Sequence, residues 1–171
     1  FPGINGMSVS VNLSSRQFHD RELQNILGDA MADARLDPSA LELEISEATL
    51  ARSGRAQNVL VMLRELGTRV AVDDFGAGGC SFTDLRSLAV DTLKIAPTFI
   101  HNMMQRNDDA AMVQAMITMA KGLDLRIIAE GVESKEQLSY LLARRCTDMQ
   151  GYIFGKPLPA FALADTLRMQ H

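Results

Sequence analysis

Two adjacent aspartates, Asp73 and Asp74, follow an apolar run and precede a glycine-rich turn in the segment VAVDDFGAGG, residues 70–79. Adjacent carboxylates repel each other, and gathering them is costly unless a cation lies nearby. Two such groups can hold two divalent cations, with one carboxylate bridging the ions, which is the arrangement used for two-metal phosphoester hydrolysis. The pair is therefore the first candidate for a site that does chemistry.

Most of the other segments that read as β-strands also end in a polar or charged residue. These residues are Asn12, Glu44, Lys94, Glu130 and Gln150. The carboxyl ends of parallel strands gather at one edge of an α/β fold. Carboxylate and amide oxygens without His or Cys favour Mg²⁺ or Mn²⁺. Lys94 would be the one positive side chain there, able to stabilise developing charge or to orient the attacking water.

Each of these residues also has a structural interpretation. An acidic residue at a strand end commonly caps the next helix, and a lysine there commonly extends its ammonium to solvent. The occurrence of such residues at successive strand ends favours a joint site over separate caps. His19, His101 and His171 show no ligand spacing and are interpreted as surface residues.

Strand-like and helix-like segments alternate along the chain. The predicted strands are Ser8–Leu13, Leu41–Ile45, Arg69–Val72, Asp91–Ile95, Arg126–Ala129 and Met149–Phe154. The predicted helices are Arg21–Ala34, Ala56–Leu66, Ala111–Leu123 and Lys135–Arg144, each with apolar residues three and four apart. This alternation predicts a parallel sheet with helices packed outside it.

Six βα-like units fit either an open α/β sheet or an incomplete barrel, since a closed (β/α)₈ barrel needs eight units and about 250 residues. The strand faces favour the barrel. In Ser8–Leu13, Val9 and Val11 share one face while Ser10 and Asn12 share the other. Central strands of an open doubly wound sheet are apolar on both faces, whereas here one face is polar and can line a site.

Composition sets further limits. The chain has 171 residues and a formal net charge of −4, which predicts one domain without affinity for polymeric nucleic acid. No apolar stretch approaches the roughly 20 residues of a membrane span. Cys80 and Cys146 form no CxxC motif, so we interpret them as inert thiols in a reducing, cytoplasmic setting.

Six motifs, in order along the chain, resemble those of the EAL domain family, the cyclic di-GMP phosphodiesterases of bacteria. They are VNLSSRQF (Val11–Phe18), LELEISEATL (Leu41–Leu50), AVDDFGAG (Ala71–Gly78), LKIA (Leu93–Ala96), IIAEGVESKEQL (Ile127–Leu138) and QGYIFGKPLP (Gln150–Pro159). The resemblance covers essentially the whole chain. It implies a single domain over residues 1–171 with a modified TIM-like barrel, incomplete here, and a role in cytoplasmic bacterial signalling.

The resemblance also implies a reaction and roles for individual residues. The reaction is hydrolysis of cyclic di-GMP to linear pGpG with Mg²⁺ or Mn²⁺ at a two-metal site. The implied metal ligands are Asn12, Glu44, Asp73, Asp74 and Glu130, and the implied catalytic residues are Lys94, Asp74 and Glu130. Glu47 would anchor the loop after DDFG, and Gln150, Ser14, Phe154 and Pro157 would contact the nucleotide. Homodimers and neighbouring signalling domains are family expectations.

The chain departs from the family pattern at three places. The Glu-Ala-Leu motif, whose glutamate ligates metal in the family, is absent, and we expect its strand and an earlier one to lie before Phe1. Ala96 stands where the family has aspartate after LKI, which removes a carboxylate near the metals. The segment DDFGAGGCSF lacks the usual Tyr-Ser-Ser, and Gly79 adds flexibility.

These departures leave three functions open. The first is a metal-dependent cyclic di-GMP phosphodiesterase. The second is a degenerate EAL domain that binds cyclic di-GMP as a receptor without cutting it. The third is a barrel hydrolase acting on another phosphoester, which the motif set disfavours.

Overall fold

In the part of the chain that the structure describes, six parallel β-strands form one sheet whose spatial order is the order of the strands in the sequence. The computed structural model describes residues 7–78 and 80–169. The strands are β1 (Val9–Asn12), β2 (Leu41–Ser46), β3 (Arg69–Phe75), β4 (Thr92–Ile95), β5 (Arg126–Glu130) and β6 (Asp148–Gln150). A doubly wound sheet reverses its strand order partway across, so the sequential order selects the barrel-like alternative.

The sheet curls into a half-barrel. Ser10 of β1 and Asp148 and Gln150 of β6, which belong to opposite edges of the sheet, line one cavity of about 420 Å³. The concave face is polar, as the strand alternation predicts. Buried Glu42 accepts hydrogen bonds there from the hydroxyl groups of Ser10 (3.2 Å) and Thr92 (3.0 Å). The predicted incomplete TIM-like barrel of six βα units is confirmed.

Helices follow the strands and cover the convex face. They are α1 (Ser15–Phe18), α2 (Leu23–Ala34), α3 (Glu47–Arg52), α4 (Ala56–Glu65), α5 (Phe82–Ser87), α6 (Pro97–Asn102), α7 (Asn107–Gly122), α8 (Lys135–Ala143) and α9 (Ala160–Met169), with a 3₁₀ turn at Pro38–Ala40. Within the described residues, none of these helices is both long enough and apolar enough to cross a membrane.

The core lies between the convex face of the sheet and these helices. Leu43, Leu93, Leu60 and Ile117, from β2, β4, α4 and α7, are almost completely buried in one apolar cluster. Burying a side chain of this size stabilises the fold by roughly 1.5–3 kcal/mol. This packing holds the strands in place, and the polar residues at their carboxyl ends are positioned as a result.

Several boundaries differ from the sequence prediction. Strand β3 continues to Phe75, beyond the predicted end at Val72, and therefore includes both aspartates. The last strand ends at Gln150, so the prediction of a strand as far as Phe154 is wrong; the chain turns at Gly151 because its backbone packs directly against Val132. The short helices α1, α3, α5 and α6 span four to six residues and are too short to show a helical period.

The predicted apolar face of β1 is only half covered. Val9 and Val11 are 47% and 46% exposed, and they line an apolar groove with Leu27 and Met31 of α2. They lie on the side predicted to meet helices. The partial exposure reflects the position of β1 at the edge of the described sheet.

Candidate metal centre

A β-bulge in β3 places the two adjacent aspartates in one site. The strand register shows that Asp73 and Asp74 together oppose the single residue Lys94 of β4. In a regular strand neighbouring side chains point to opposite faces, but Asp74 has φ +53°, in the left-handed region. A bulge of this kind re-aims a side chain. As a result, carboxylate oxygens of Asp73, Asp74 and Glu130 all lie within 4.8 Å of one another.

Local hydrogen bonds support this unusual backbone. The Asp74 amide donates to Oδ1 of Asp73 at 2.9 Å, and the Asp74 carbonyl accepts from the amide of Ala77 at 3.2 Å. Aspartate is one of the few residues other than glycine that tolerates the left-handed region. Aspartate at position 74 therefore tolerates the left-handed backbone and also supplies a carboxylate to the cluster.

Lys94 is the cation of the site and is 3% exposed. Its Nζ lies 2.6 Å from Oε1 of Glu44, 2.7 Å from Oε1 of Glu130 and 3.7 Å from Oδ1 of Asp73. Burial disfavours the charged ammonium, but hydrogen bonds to Glu130 and Glu44, together with the nearby charges, outweigh it. The pKa of Lys94 consequently lies above its usual value.

Glu130 ends β5, and its partly buried carboxyl group lies beside Lys94 and Asp73. Burial raises the pKa of its carboxyl, Lys94 lowers it, and the neighbouring Asp73 raises it again, leaving the pKa above its ordinary value. The ammonium of Lys94 contacts the three carboxylates of Glu44, Asp73 and Glu130, so the cluster has an excess of negative charge. A bound cation would relieve that excess.

The donor set fits a hard divalent cation. Asp73, Asp74 and Glu130 offer carboxylate oxygens from the carboxyl ends of β3 and β5, the two strands that flank β4, and Mg²⁺ and Mn²⁺ prefer such ligands. Glu44 contacts Nζ of Lys94 but is not one of these three converging carboxylates. Asn12 is exposed at the end of β1, in register with Glu44.

Glu47 fixes the loop that follows the aspartates. It lies in the first turn of α3, is 3% exposed, and its Oε2 accepts from the amides of Gly76 and Gly78, each at 3.1 Å. Its Oε1 accepts from the amide of Cys80 at 2.9 Å. One buried carboxylate thus holds three backbone groups of the loop, a strong arrangement because each bond is charge-assisted.

Position 76 requires glycine for two reasons, its backbone conformation and the lack of room for a side chain. Its φ is +97°, and a Cβ there would lie 2.5 Å from Met116 and 2.7 Å from Phe99. The loop therefore packs directly on α6 and α7. A side chain at position 76 would strain the backbone and require Met116 and Phe99 to move.

The residues expected to contact a nucleotide are spread around the same edge of the sheet. Gln150 pairs in register with Glu130 and lines a cavity with it. Phe154 and Pro157 are exposed in the segment after β6. Ser14 caps α1 through a reciprocal pair of hydrogen bonds with Gln17, so its hydroxyl has a structural role whether or not it binds a ligand.

Sequence reasoning did not assign roles to three residues beside the site. His101, Glu133 and Tyr152 line the cavity that contains Glu130 and Gln150. Glu133 and Tyr152 lie within the IIAEGVESKEQL and QGYIFGKPLP segments, which offered a signal, whereas His101 lies in none of the six motifs. The surface assignments of His19 and His101 are confirmed, and His171 lies outside the described residues.

Comparison with protein families gives one match that spans nearly the whole chain. The model described as "EAL domain" matches residues 2–157. Among curated proteins, the bifunctional diguanylate cyclase/cyclic di-GMP phosphodiesterase MucR of Pseudomonas aeruginosa is 37% identical over 90% of this chain and 22% of its own length. The cyclic di-GMP phosphodiesterase NbdA of the same organism is 37% identical over 97% of this chain and 21% of its own.

Solved structures of EAL proteins are also similar to this chain. The PaMucR phosphodiesterase in complex with c-di-GMP has a TM-score of 0.88 at 37% identity, covering 91% of this chain and 64% of that one. The EAL domain of Mycobacterium smegmatis DcpA has a TM-score of 0.89 at 29% identity, covering 95% and 73%. The chain spans about a fifth of the length of the curated relatives it matches.

Proposed function

Because the chain belongs to the EAL domain family, we propose that it hydrolyses cyclic di-GMP to linear pGpG with Mg²⁺ or Mn²⁺. The observation that carries this proposal is the convergence of Asp73, Asp74 and Glu130 within 4.8 Å, beside buried Lys94. The names of the relatives MucR and NbdA, and the c-di-GMP complex of the MucR phosphodiesterase, support the choice of substrate.

Asp73, Asp74 and Glu130 are the proposed ligands of the divalent cation, and Glu44 and Asn12 extend this set on the β1–β2 side. When bound, divalent cations supply Lewis acidity toward the phosphoryl oxygens and lower the pKa of water. The bulge at Asp74 lets two consecutive carboxylates serve one site. Glu47 has the supporting role of holding the loop that follows them.

Lys94 and Glu130 are the proposed groups that act directly on the reaction. Water adds to one phosphorus, the bond from that phosphorus to the 3′ oxygen breaks, and the 3′ oxygen gains a proton. Lys94 can stabilise the charge that develops on the phosphoryl oxygens. Glu130, hydrogen-bonded to Lys94 at 2.7 Å, can orient the attacking water.

Ala96 favours a second candidate function, a receptor that binds cyclic di-GMP without cleaving it. Ala96 is 3% exposed and directly follows β4, two residues after Lys94, so strand alternation places both on one side. The methyl group provides no ligand where the family motif has aspartate. This weakens the charge available to a second cation.

One experiment separates the two functions. The purified protein is incubated with cyclic di-GMP and Mn²⁺, and the nucleotides are separated by chromatography, beside an EDTA control and Glu130→Ala. The enzyme yields pGpG that disappears in both controls. A receptor returns intact cyclic di-GMP that co-elutes with the protein, and an Ala96→Asp variant would then be expected to gain turnover.

A further inference from the structure

Glu42 lies on β2, two residues before Glu44, and is only 2% exposed, although it takes no part in the proposed chemistry. Its carboxylate accepts hydrogen bonds from the hydroxyl groups of Ser10 on β1 and Thr92 on β4. We infer that Glu42 is a positioning residue, which holds these strands so that Glu44 and Lys94 meet at the correct distance. The inference rests on the proposed function, because it assigns a further residue to the support of the same reaction.

The contact between Glu42 and Thr92 repeats, one layer lower, the contact between Glu44 and Lys94. Glu44 follows Glu42 by two residues on β2, and Lys94 follows Thr92 by two residues on β4. Side chains two residues apart on a strand point to the same face. The lower contact joins Oγ1 of Thr92 to Oε2 of Glu42 at 3.0 Å, and the upper contact joins Nζ of Lys94 to Oε1 of Glu44 at 2.6 Å. Both contacts cross the concave face between the same two strands, so the lower one helps to fix the geometry of the upper one.

A small residue on the intervening strand makes the lower contact possible. Strand β3 lies between β2 and β4, which places those two strands roughly 9–10 Å apart. Ala71 of β3 is completely buried and pairs in register with Thr92. Its neighbours Val70 and Val72 belong to the apolar cluster on the convex side, so the methyl group of Ala71 faces the concave side. That short side chain leaves room for Glu42 to reach Thr92.

The hydrogen bond from Ser10 extends the same layer to β1. Ser10 pairs in register with Glu42, as Asn12 pairs with Glu44 one layer above. Layers of side chains from different strands fill the interior of TIM-like barrels. A buried carboxylate is costly to leave without hydrogen-bond partners. The two hydroxyl groups therefore favour one arrangement of β1, β2 and β4, the arrangement in which both reach Glu42.

Lys94 is the group of the site that depends most on this arrangement. Its Nζ contacts Glu44 of β2, Asp73 of β3 and Glu130 of β5, so a shift of β4 against the other strands changes all three contacts. Without the bond between Glu42 and Thr92, Lys94 would be displaced from the phosphoryl oxygens that it is proposed to stabilise. A displacement of about 1 Å can slow a reaction about 100-fold.

The test follows Lys94 itself as well as turnover. In purified protein whose lysines carry ¹⁵N, the NMR signal of the Lys94 ammonium is assigned by its loss in Lys94→Met. Glu42→Leu is expected to shift that signal and to lower kcat about tenfold or more, with little change in KM. Thr92→Val removes one of the two bonds at almost constant shape. It should act in the same direction, and it keeps the test decisive if Glu42→Leu fails to fold.

Two further variants separate positioning from general damage to the fold. Glu42→Gln keeps an acceptor oxygen and adds a donor, and because hydroxyl groups both accept and donate, both bonds can form. This variant should retain the wild-type Lys94 signal and most of the wild-type kcat. Thr118→Val, on the exposed face of α7, is the matched control for Thr92→Val and should change neither quantity.

The outcomes distinguish this inference from the proposed function. If the wild type is active, the positioning role is overturned when Glu42→Leu and Thr92→Val leave either the Lys94 signal or kcat unchanged. It is also overturned when Glu42→Gln is as impaired as Glu42→Leu, because the hydrogen bonds are then not the cause. If the wild type yields no pGpG, the proposed function is overturned. The Lys94 signal then decides alone, and an unchanged signal in both variants overturns the positioning role as well.

Discussion

Asp73 and Asp74 are sequence neighbours on one β-strand, yet their carboxylates reach the same cluster because Asp74 adopts a left-handed backbone in a bulge opposite Lys94. Regular strand geometry would send one of them to the convex side. The bulge thus brings both carboxylates to the site where we propose that they hold a cation. The metal-dependent chemistry proposed for this domain depends on that local geometry.

Substituting Asp74 tests the chelating pair. Asp74→Asn keeps a residue that tolerates the left-handed backbone but removes one of the negative charges that set cation affinity. We expect Mn²⁺ binding, measured calorimetrically, to weaken about tenfold or more, with little change in unfolding. Asp124→Asn is the matched control, since Asp124 is exposed and has φ +57°. Equal Mn²⁺ affinity in the two variants would show that Asp74 is not a ligand.

Substituting Glu47 tests the anchor of the loop. Glu47→Gln replaces one of the two acceptor oxygens for the amides of Gly76, Gly78 and Cys80 with a donor. We expect the free energy of unfolding in urea to fall by about 1.5–3 kcal/mol, the range for hydrogen bonds to charged groups, and hydrolysis to fall with it. Glu65→Gln on the exposed end of α4 is the control. Unchanged stability in Glu47→Gln would contradict the anchoring role.

Lys94→Met tests whether the Lys94 ammonium stabilises the surrounding carboxylates. The change leaves the buried carboxylate of Glu44 and the partly buried carboxylate of Glu130 without their ammonium, which we expect to cost about 3 kcal/mol in the presence of EDTA. Mn²⁺ should then raise the unfolding temperature more in Lys94→Met than in the wild type. Thermal unfolding with and without Mn²⁺ measures both effects, with Lys135→Met, an exposed lysine on α8, as the control.

The direction of the Lys94 pKa shift determines how the stabilising effect of Lys94 depends on pH. The pKa of Lys94 is raised in the folded protein, so its stabilising effect is fully present below the unfolded value of about 10.4 and is lost only as pH rises through the folded pKa. The difference between wild type and Lys94→Met should therefore not vanish between pH 7 and 9. A difference that disappears in that interval would contradict the assignment.

The two thiols are expected to be unreactive in the native protein. Burial, with nearby carboxylates, raises the pKa of Cys80 and of Cys146 to about 11. At pH 8 the thiolate, which is the reactive form, is then about one part in a thousand. A disulfide reagent such as DTNB should label neither thiol rapidly until denaturant is added. Rapid native labelling at pH 8 would contradict the raised pKa values of these two thiols.

Much of the fold follows from local pattern. The six strands, the helices α2, α4, α7 and α8, and the polar concave face follow from periods of two and of three to four residues, because those periods reflect which face is buried. Helix α9, of ten residues, was not predicted. The short helices escaped prediction because a span of four to six residues does not show a period. The strand predicted through Phe154 was wrong because Gly151 turns against Val132, a contact between distant parts of the chain.

Part of the site was predictable from the residues at the ends of the strands. Residue types at strand ends indicate that oxygen ligands and a lysine gather at one edge of the sheet. The bulge at Asp74 is a property of strand pairing with β4, and no residue pattern in β3 alone encodes it. The cavity beside Glu130 likewise depends on close backbone approaches at Gly131 and Gly151, which arise only when the loops pack together.

The most direct measurement is a single turnover with cyclic di-GMP and Mn²⁺ in water enriched in ¹⁸O, read by mass spectrometry. We predict linear pGpG that carries one solvent-derived oxygen on its 5′ phosphate, formed by the wild type but abolished by Asp74→Asn, by Glu130→Ala and by EDTA. Recovery of intact, unlabelled cyclic di-GMP from the wild type under the same conditions would contradict the proposal that this domain is a phosphodiesterase.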